Sequence, residues 1–230
     1  MSGRVVVVAG ASGLVGSALV RALLGDERVT RVICLVRRPL PATARGAHGD
    51  KLEERQVPSF EAAALETAMP KDVEDAYCCL GSTIKAAGSQ EAFFKVDHDA
   101  VEAFARAARA AGARRFLVIS SLGADRHSLS FYLRVKGDME ASVARVGFDA
   151  AHALRPAILD GERGEHRLGE ALGIKVMRGV SSLLGGPRFK YAPIHVETVA
   201  RAMIALAFGE ERGFVVAESA RLQALGGAVG

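Results

Sequence analysis

Apolar positions along the chain fall into short unbroken runs separated by longer stretches of helical spacing. RVVVVA at Arg4–Ala9 is bounded by glycine, the pattern of a strand buried on both faces. Leu14–Leu24 follows with apolar residues three and four apart, which predicts a helix. RVICLV at Arg31–Val36 predicts a second buried strand, stopped by RRPLP, and Pro39–Asp50 is a loop rich in Pro, Ala and Gly. EERQVP, from Glu53 to Pro58, predicts a short third strand, and Glu61–Ala68 a helix. Then come a strand at Asp75–Leu80, a long helix at Gln90–Ala111, a strand at Arg115–Ser120, a long helix at Ser128–Val146 and a strand at Phe148–Arg155. Such alternation predicts an α/β fold: a Rossmann-type doubly wound parallel sheet with right-handed crossovers and helices on both faces. After Pro156 the pattern is less regular. Glu165–Leu184 reads as helical, Arg188–Val196 as extended, Glu197–Phe208 as a helix and Gly213–Glu218 as a last strand, a small irregular C-terminal elaboration.

Composition narrows the picture. Half of the 230 residues are hydrophobic, enough for one domain with a substantial core, so residues 1–230 are expected to form a single unit with 156–230 on the substrate side. The net charge of +4 comes with single arginines scattered among alanines, and no Lys/Arg block points to nucleic acid. Cys34, Cys78 and Cys79 lie in apolar runs without a CxxC and read as core thiols in a reducing cytosol. The first apolar run is far too short for a signal segment, and no later stretch is long and uncharged enough for a membrane span. The expectation is a soluble protein of the cytoplasm, with no nucleic-acid or membrane partner.

The chemistry begins at GASGLVG. Gly10, Gly13 and Gly16 stand between a buried strand and a helix, where glycine lets the backbone turn and lets a phosphate approach the helix N–H groups; Ser12 adds a hydroxyl. This predicts a dinucleotide site. An acid at the end of the second strand would favour NAD(H) through the ribose hydroxyls, but that place holds Arg37 and Arg38. Guanidinium forks suit a 2′-phosphate, so NADP(H) is expected over NAD(H). Leu80 and Gly81, at the exit of the fourth predicted strand, belong to the same crevice.

In SFYLRVKGDME, Tyr132 and Lys136 are four apart and share a helix face. A phenol is a weak acid–base at neutral pH, and a neighbouring ammonium stabilises its ionised form. Lys136 can also hold a ribose hydroxyl. VISSLG supplies Ser120 and Ser121 to hydrogen-bond a substrate carbonyl. YxxxK alone proves little; its weight comes from the order of glycine loop, arginines, serines and YxxxK, which is the order one crevice requires.

These residues resemble the short-chain dehydrogenase/reductase superfamily, and within it the atypical branch typified by the Tat-interacting oxidoreductase family. The likeness rests on GASGLVG, LVRR, YCCLGST, KVDHDAVEAFARAARAAGARRFLVISSLGAD, FYLRVKGDMEA and LRPAILDGER, with weaker likeness through APIHVETVARAM. It implies that Ser12, Gly13, Leu14, Val15 and Gly16 line a pyrophosphate, that Arg37 and Arg38 read the 2′-phosphate, and that Leu80 and Gly81 flank the adenosine side. Tyr132 would move the proton and Lys136 support it, with Ser121 orienting the carbonyl and Ser120 as second choice; Leu159 and Arg167 would lie near the nicotinamide. Two departures stand out. Ser59 occupies the place where relatives often put an adenine-binding Asp, and the serine-to-tyrosine spacing is two residues short of the commoner value. A homodimer is a further expectation of the resemblance.

The expected function is NADP(H)-dependent hydride transfer between nicotinamide and a small carbonyl or alcohol substrate. One alternative is an NADPH-binding regulator or redox sensor that signals to a protein partner. Another is epimerase or dehydratase chemistry of the sugar-nucleotide type, against which the Arg37–Arg38 pair argues. Gly161–Gly186 is expected to shape the substrate pocket and to act as a lid. His195 reads as a capping or packing residue. Asp97 and His98 carry metal-ligating atoms, but carboxylates favour helix starts anyway, no third ligand stands at helical spacing, and no metal is expected.

Overall fold

The computed structural model describes residues 3–44, 46–160 and 193–227. Its strands are β1 (Arg4–Ala9), β2 (Val29–Val36), β3 (Leu52–Gln56), β4 (Asp75–Cys78), β5 (Arg115–Ile119), β6 (Ala150–Arg155), β7 (Leu159–Asp160), β8 (Ile194–His195) and β9 (Gly213–Glu218). Seven of them form one parallel sheet in the order β3-β2-β1-β4-β5-β6-β9, while β7 and β8 pair separately. The helices are α1 (Leu14–Leu24), α2 (Ala62–Ala68), α3 (Ile84–Ala87), α4 (Gln90–Phe94), α5 (Ala100–Ala110), α6 (Phe131–Arg145), α7 (Val196–Ala207) and α8 (Ser219–Gly227), with a π-helical segment at Lys95–Asp99 joining α4 to α5.

Valine repetition explains the central strand. Along β1, Val6 and Val8 face α1 and α7 through Leu19, Leu23, Val199 and Met203. Val7 and Ala9 face the opposite layer, with Leu65 of α2, Phe104 of α5 and Met139 of α6. The chain builds outward from β1 to β3 on one side and from β4 to β9 on the other. Strand order therefore reverses between β1 and β4, where an open parallel sheet offers its crevice.

The boundaries differ from the sequence reading for local reasons. β2 starts at Val29, not Arg31, because Val29 registers opposite Arg4 and the Thr30 hydroxyl donates to the Gly3 carbonyl at 3.0 Å. The loop after β2 contains two 3₁₀ turns, at Ala42–Ala44 and Gly46–Lys51. α6 starts at Phe131, not Ser128, because the Ser128 hydroxyl accepts from the Ser130 N–H at 3.2 Å and holds a turn. β6 starts at Ala150, since Gly147 turns at φ +80° and Phe148 stacks on Phe116. The long helix expected at Gln90–Ala111 is continuous but widens at Lys95–Asp99. α3, α8 and β7 carried no clear signal, whereas β8 falls within the extended stretch expected at Arg188–Val196. The helix expected at Glu165–Leu184 and the extended residues 188–192 lie outside the described residues.

Candidate active site

A cleft of about 360 Å³ opens at the carboxyl ends of β1, β4, β5 and β6. Its first wall is the β1–α1 turn, where Gly13, Leu14 and Val15 line the cavity. Gly10 turns the chain at φ +82°, and a β-carbon there would sit 2.4 Å from the Cys79 carbonyl carbon. A β-carbon on Gly16 would sit 2.0 Å from the Gly10 oxygen. The turn closes through the Gly13 N–H donating to the Gly10 carbonyl at 3.0 Å. α1 has no side-chain cap and no acid in its first turn, so its leading N–H groups are left for an anion. Ser12 is exposed on the same turn. These features fit the pyrophosphate of a dinucleotide: a cradle that side chains at Gly10 or Gly16 would fill, beneath uncapped backbone donors.

The second wall is the β4 exit, with Cys79, Leu80, Gly81, Ser82, Thr83 and Ala86. The Cys79 N–H donates to the Ala9 carbonyl at 2.8 Å, which keeps this exit beside β1. Thr83 caps α3 by accepting from the Ala86 N–H at 3.1 Å. Both thiols belong to the core as expected: Cys79 packs against the cluster on the α1 side while its residue also borders the cavity, and Cys78 is fully buried in the opposite layer, which pushes its thiol up to about 12.

The remaining wall brings Ser120, Ser121, Tyr132, Lys136 and Leu159 to the same cavity. The two serines are not equivalent. Buried Ser120 donates to Glu140 Oε1 at 2.5 Å, and Glu140 also receives the Arg155 fork at 2.8 and 2.5 Å. Ser121 is partly exposed and makes only a 3.5 Å contact with the Leu122 carbonyl, so its hydroxyl is the one available to a ligand. The short serine-to-tyrosine connection is clipped to α6 by the Asp125 N–H donating to the Leu133 carbonyl at 3.1 Å. Tyr132 packs its ring against Phe93, 5.5 Å between centroids.

Lys136 has a partner that the sequence reading missed. Its Nζ lies 2.7 Å from Asp97 Oδ1, with both side chains buried. Asp97 is not at a helix start: it sits in the π-helical segment, inside a continuous helix, with Oδ2 accepting from the Ser82 N–H at 2.8 Å. Burial raises its carboxyl above the ordinary range, against the pull of Lys136 and Ser82. Nothing in the sequence links Asp97 to Lys136. Glu140 was legible, standing four residues after Lys136 and eight after Tyr132 on one helix face.

Arg37 and Arg38 are exposed at the end of β2 and are not among the cleft's lining residues. Their loop is fastened where the Leu40 N–H donates to Glu54 Oε2 at 2.8 Å. The Ser59 hydroxyl accepts from the Glu61 N–H at 3.3 Å beside α2. His195 opens α7 at its N-cap position, as expected, and makes no side-chain capping bond there. Arg167 and the segment Gly161–Gly186 lie outside the described residues.

The comparisons with known proteins agree with this fold. The model of a family described as NAD(P)H-binding matches residues 10–208. The protein named fmp52, mitochondrial, of Aspergillus niger is 38% identical over 182 residues, covering 78% of this chain and 75% of that protein. Protein HTATIP2 of Rattus norvegicus is 34% identical over 204 residues, covering 89% and 81%. Among solved structures, the UDP-N-acetylglucosamine 4-epimerase of Methanobrevibacter ruminantium superposes with a TM-score of 0.72 at 20% identity, covering 95% of this chain and 77% of that one. The mitochondrial name, shared by other fungal relatives, overturns the expected cytoplasmic location. That expectation rested on free thiols and on an apolar run that is strand β1, and neither discriminates among reducing compartments.

Proposed function

The chain belongs to the NAD(P)H-binding family, in the atypical short-chain dehydrogenase/reductase branch, and from that premise we propose that it is an NADP(H)-dependent oxidoreductase acting on a carbonyl or alcohol. The observation that carries this reading is the convergence of the β1–α1 turn, Ser121, Tyr132 and Lys136 on one cavity. Gly13, Leu14 and Val15 would hold the pyrophosphate at the N-terminus of α1, Leu80 and Gly81 would flank the adenosine, and Arg37 and Arg38 would meet the 2′-phosphate. The bound nicotinamide supplies two electrons and a hydrogen as hydride. The chain supplies the proton: the Tyr132 hydroxyl gives it to the substrate oxygen, converting C=O to C–OH, and regains it from water. Ser121 Oγ donates a hydrogen bond to that oxygen, and the Lys136 ammonium stabilises the phenolate left behind.

A second reading, an NADPH-binding regulator with little turnover, draws on the pairing of Lys136 with Asp97, which offsets part of the charge presented to Tyr132. NADPH consumption with a panel of aldehydes, ketones and quinones separates the two. The oxidoreductase reading expects substrate-dependent loss of NADPH absorbance. Tight NADPH binding with no loss across the panel favours the regulator.

A further inference from the structure

Large apolar side chains stand exposed at Ile84, Leu129 and Ile158 among the described residues. A single exposed hydrophobe needs no explanation, but two of these share one place. Ile84 stands on α3 between Thr83 and Ala86, and Ile158 stands between Ala157 and Leu159; all four of those neighbours line the cleft. The two isoleucines therefore edge its mouth from the β4 exit and from the β6 exit. Both sit on fixed backbone. Thr83 caps α3, and the Ile194 N–H donates to the Ile158 carbonyl at 2.9 Å.

The interior has the same character. With Leu80 and Leu159 given to the dinucleotide, the apolar surface left over is Ala86, Ile119, Pro156 and Ala157. Most polar side chains on the wall are already engaged. Ser120 donates to Glu140, Lys136 and Asp97 pair at 2.7 Å, Thr83 caps α3, and the Ser82 hydroxyl donates to the Thr83 carbonyl at 3.2 Å. Among the described residues, the hydroxyls of Ser121 and Tyr132 are the ones left for a substrate oxygen. A charged group buried against such a wall loses its hydration and gains no partner, whereas hydrocarbon gains from leaving water.

We propose that the substrate is a neutral aldehyde or ketone, or the matching alcohol, on a hydrocarbon body: its oxygen rests on Ser121 and Tyr132, and its chain runs out past Ile84 and Ile158. This inference deepens the oxidoreductase reading above and rests on it. A few converging polar groups in an apolar surround are the usual build of a site that orients such a ligand.

The test uses the intact chain with NADPH bound. Straight-chain primary amides, from butanamide to decanamide, carry the carbonyl but accept no hydride. Their affinity, followed through the fluorescence of the bound NADPH, reads the pocket apart from turnover. It should rise about threefold with each added methylene, the gain of burying most of a CH₂ group. The same amides ending in a carboxylate should lose that rise. Aldehydes of the same lengths should follow the trend in kcat/KM, each taking a hydride from NADPH and a proton from Tyr132 to become the primary alcohol. Ile84→Ser combined with Ile158→Ser exchanges two residues that are each more than a third exposed, so the fold tolerates it. That variant should bind decanamide about three- to tenfold more weakly, with butanamide and NADPH affinity unchanged. Amide affinity that is flat with chain length, or greater for the carboxylate-ended series, overturns the inference and leaves the dinucleotide and hydride readings standing. An unaltered chain-length trend in the double variant overturns it too. Amides that follow the trend while no aldehyde is reduced keep the ligand class and remove the oxidoreductase reading. A wild type that binds neither NADPH nor NADH removes both.

Discussion

Arg37 and Arg38 stand exposed at the end of β2 with no carboxylate partner among the described residues, so their charge is available to a ligand. Replacing both with alanine should weaken NADPH binding about tenfold or more and leave NADH binding nearly unchanged, since a guanidinium–phosphate contact is charge-assisted. Equal losses for the two dinucleotides, read by parallel titrations, would remove the NADP(H) preference. Gly10→Ala should destabilise by about 2–4 kcal/mol in denaturant unfolding and abolish dinucleotide binding, because a β-carbon must both tolerate φ +82° and meet the Cys79 backbone. The glycine turn and the tyrosine were legible in the sequence because each is a short-range pattern. Asp97 was not, because its role depends on Lys136, 39 positions away, and on a helical widening that no residue announces.

α6 is the element on which the site turns. Tyr132, Lys136 and Glu140 lie one above the next along it, and each rung meets a different neighbour: Phe93 of α4, Asp97 of the π-helical segment, and Ser120 with Arg155 at the ends of β5 and β6. Glu140 thereby fixes both the helix and the strand end that precedes Ser121. Removing one partner of a buried pair leaves the other uncompensated, so Glu140→Gln should lower unfolding free energy by roughly 3 kcal/mol. It should also reduce kcat more than it weakens NADPH binding, because Ser121 loses its mooring while the β1–α1 turn does not. Unaltered stability in urea unfolding would show that Glu140 does not brace this junction. The long helices were visible from their spacing. Their caps and the π-helical turn were not, since those are set by side-chain hydrogen bonds and by the demand for Asp97 to face inward.

At the scale of the molecule, strand–helix alternation predicted the parallel sheet, and the sheet places its switch point at the cleft. The 156–230 region was least legible, because its short β7 and β8 find each other across the chain and leave no local periodicity. Acid stability belongs to the same scale. His152 is fully buried in β6, with neither ring nitrogen hydrogen-bonded and Glu211 no nearer than 4.0 Å. Burial holds its imidazole below the ordinary value of 6.5, with Arg221 adding to the effect and Glu211 opposing it. The unfolded chain then binds more protons than the folded one below that value, so this stabilisation is complete above it and is lost as pH falls through the folded-state value. His152→Leu should flatten the decline in unfolding free energy between about pH 7 and about pH 5 relative to wild type; an identical decline would exclude His152 as its source.

The most direct test of a dinucleotide lying across the sheet edge beside one phenol is a paired measurement on Tyr132→Phe. NADPH should bind with wild-type affinity while kcat with an accepted carbonyl substrate falls about 10²–10⁴-fold, the share that a positioned proton donor contributes. Turnover retained at the wild-type rate, with NADPH still bound, would contradict the assignment of proton transfer to Tyr132.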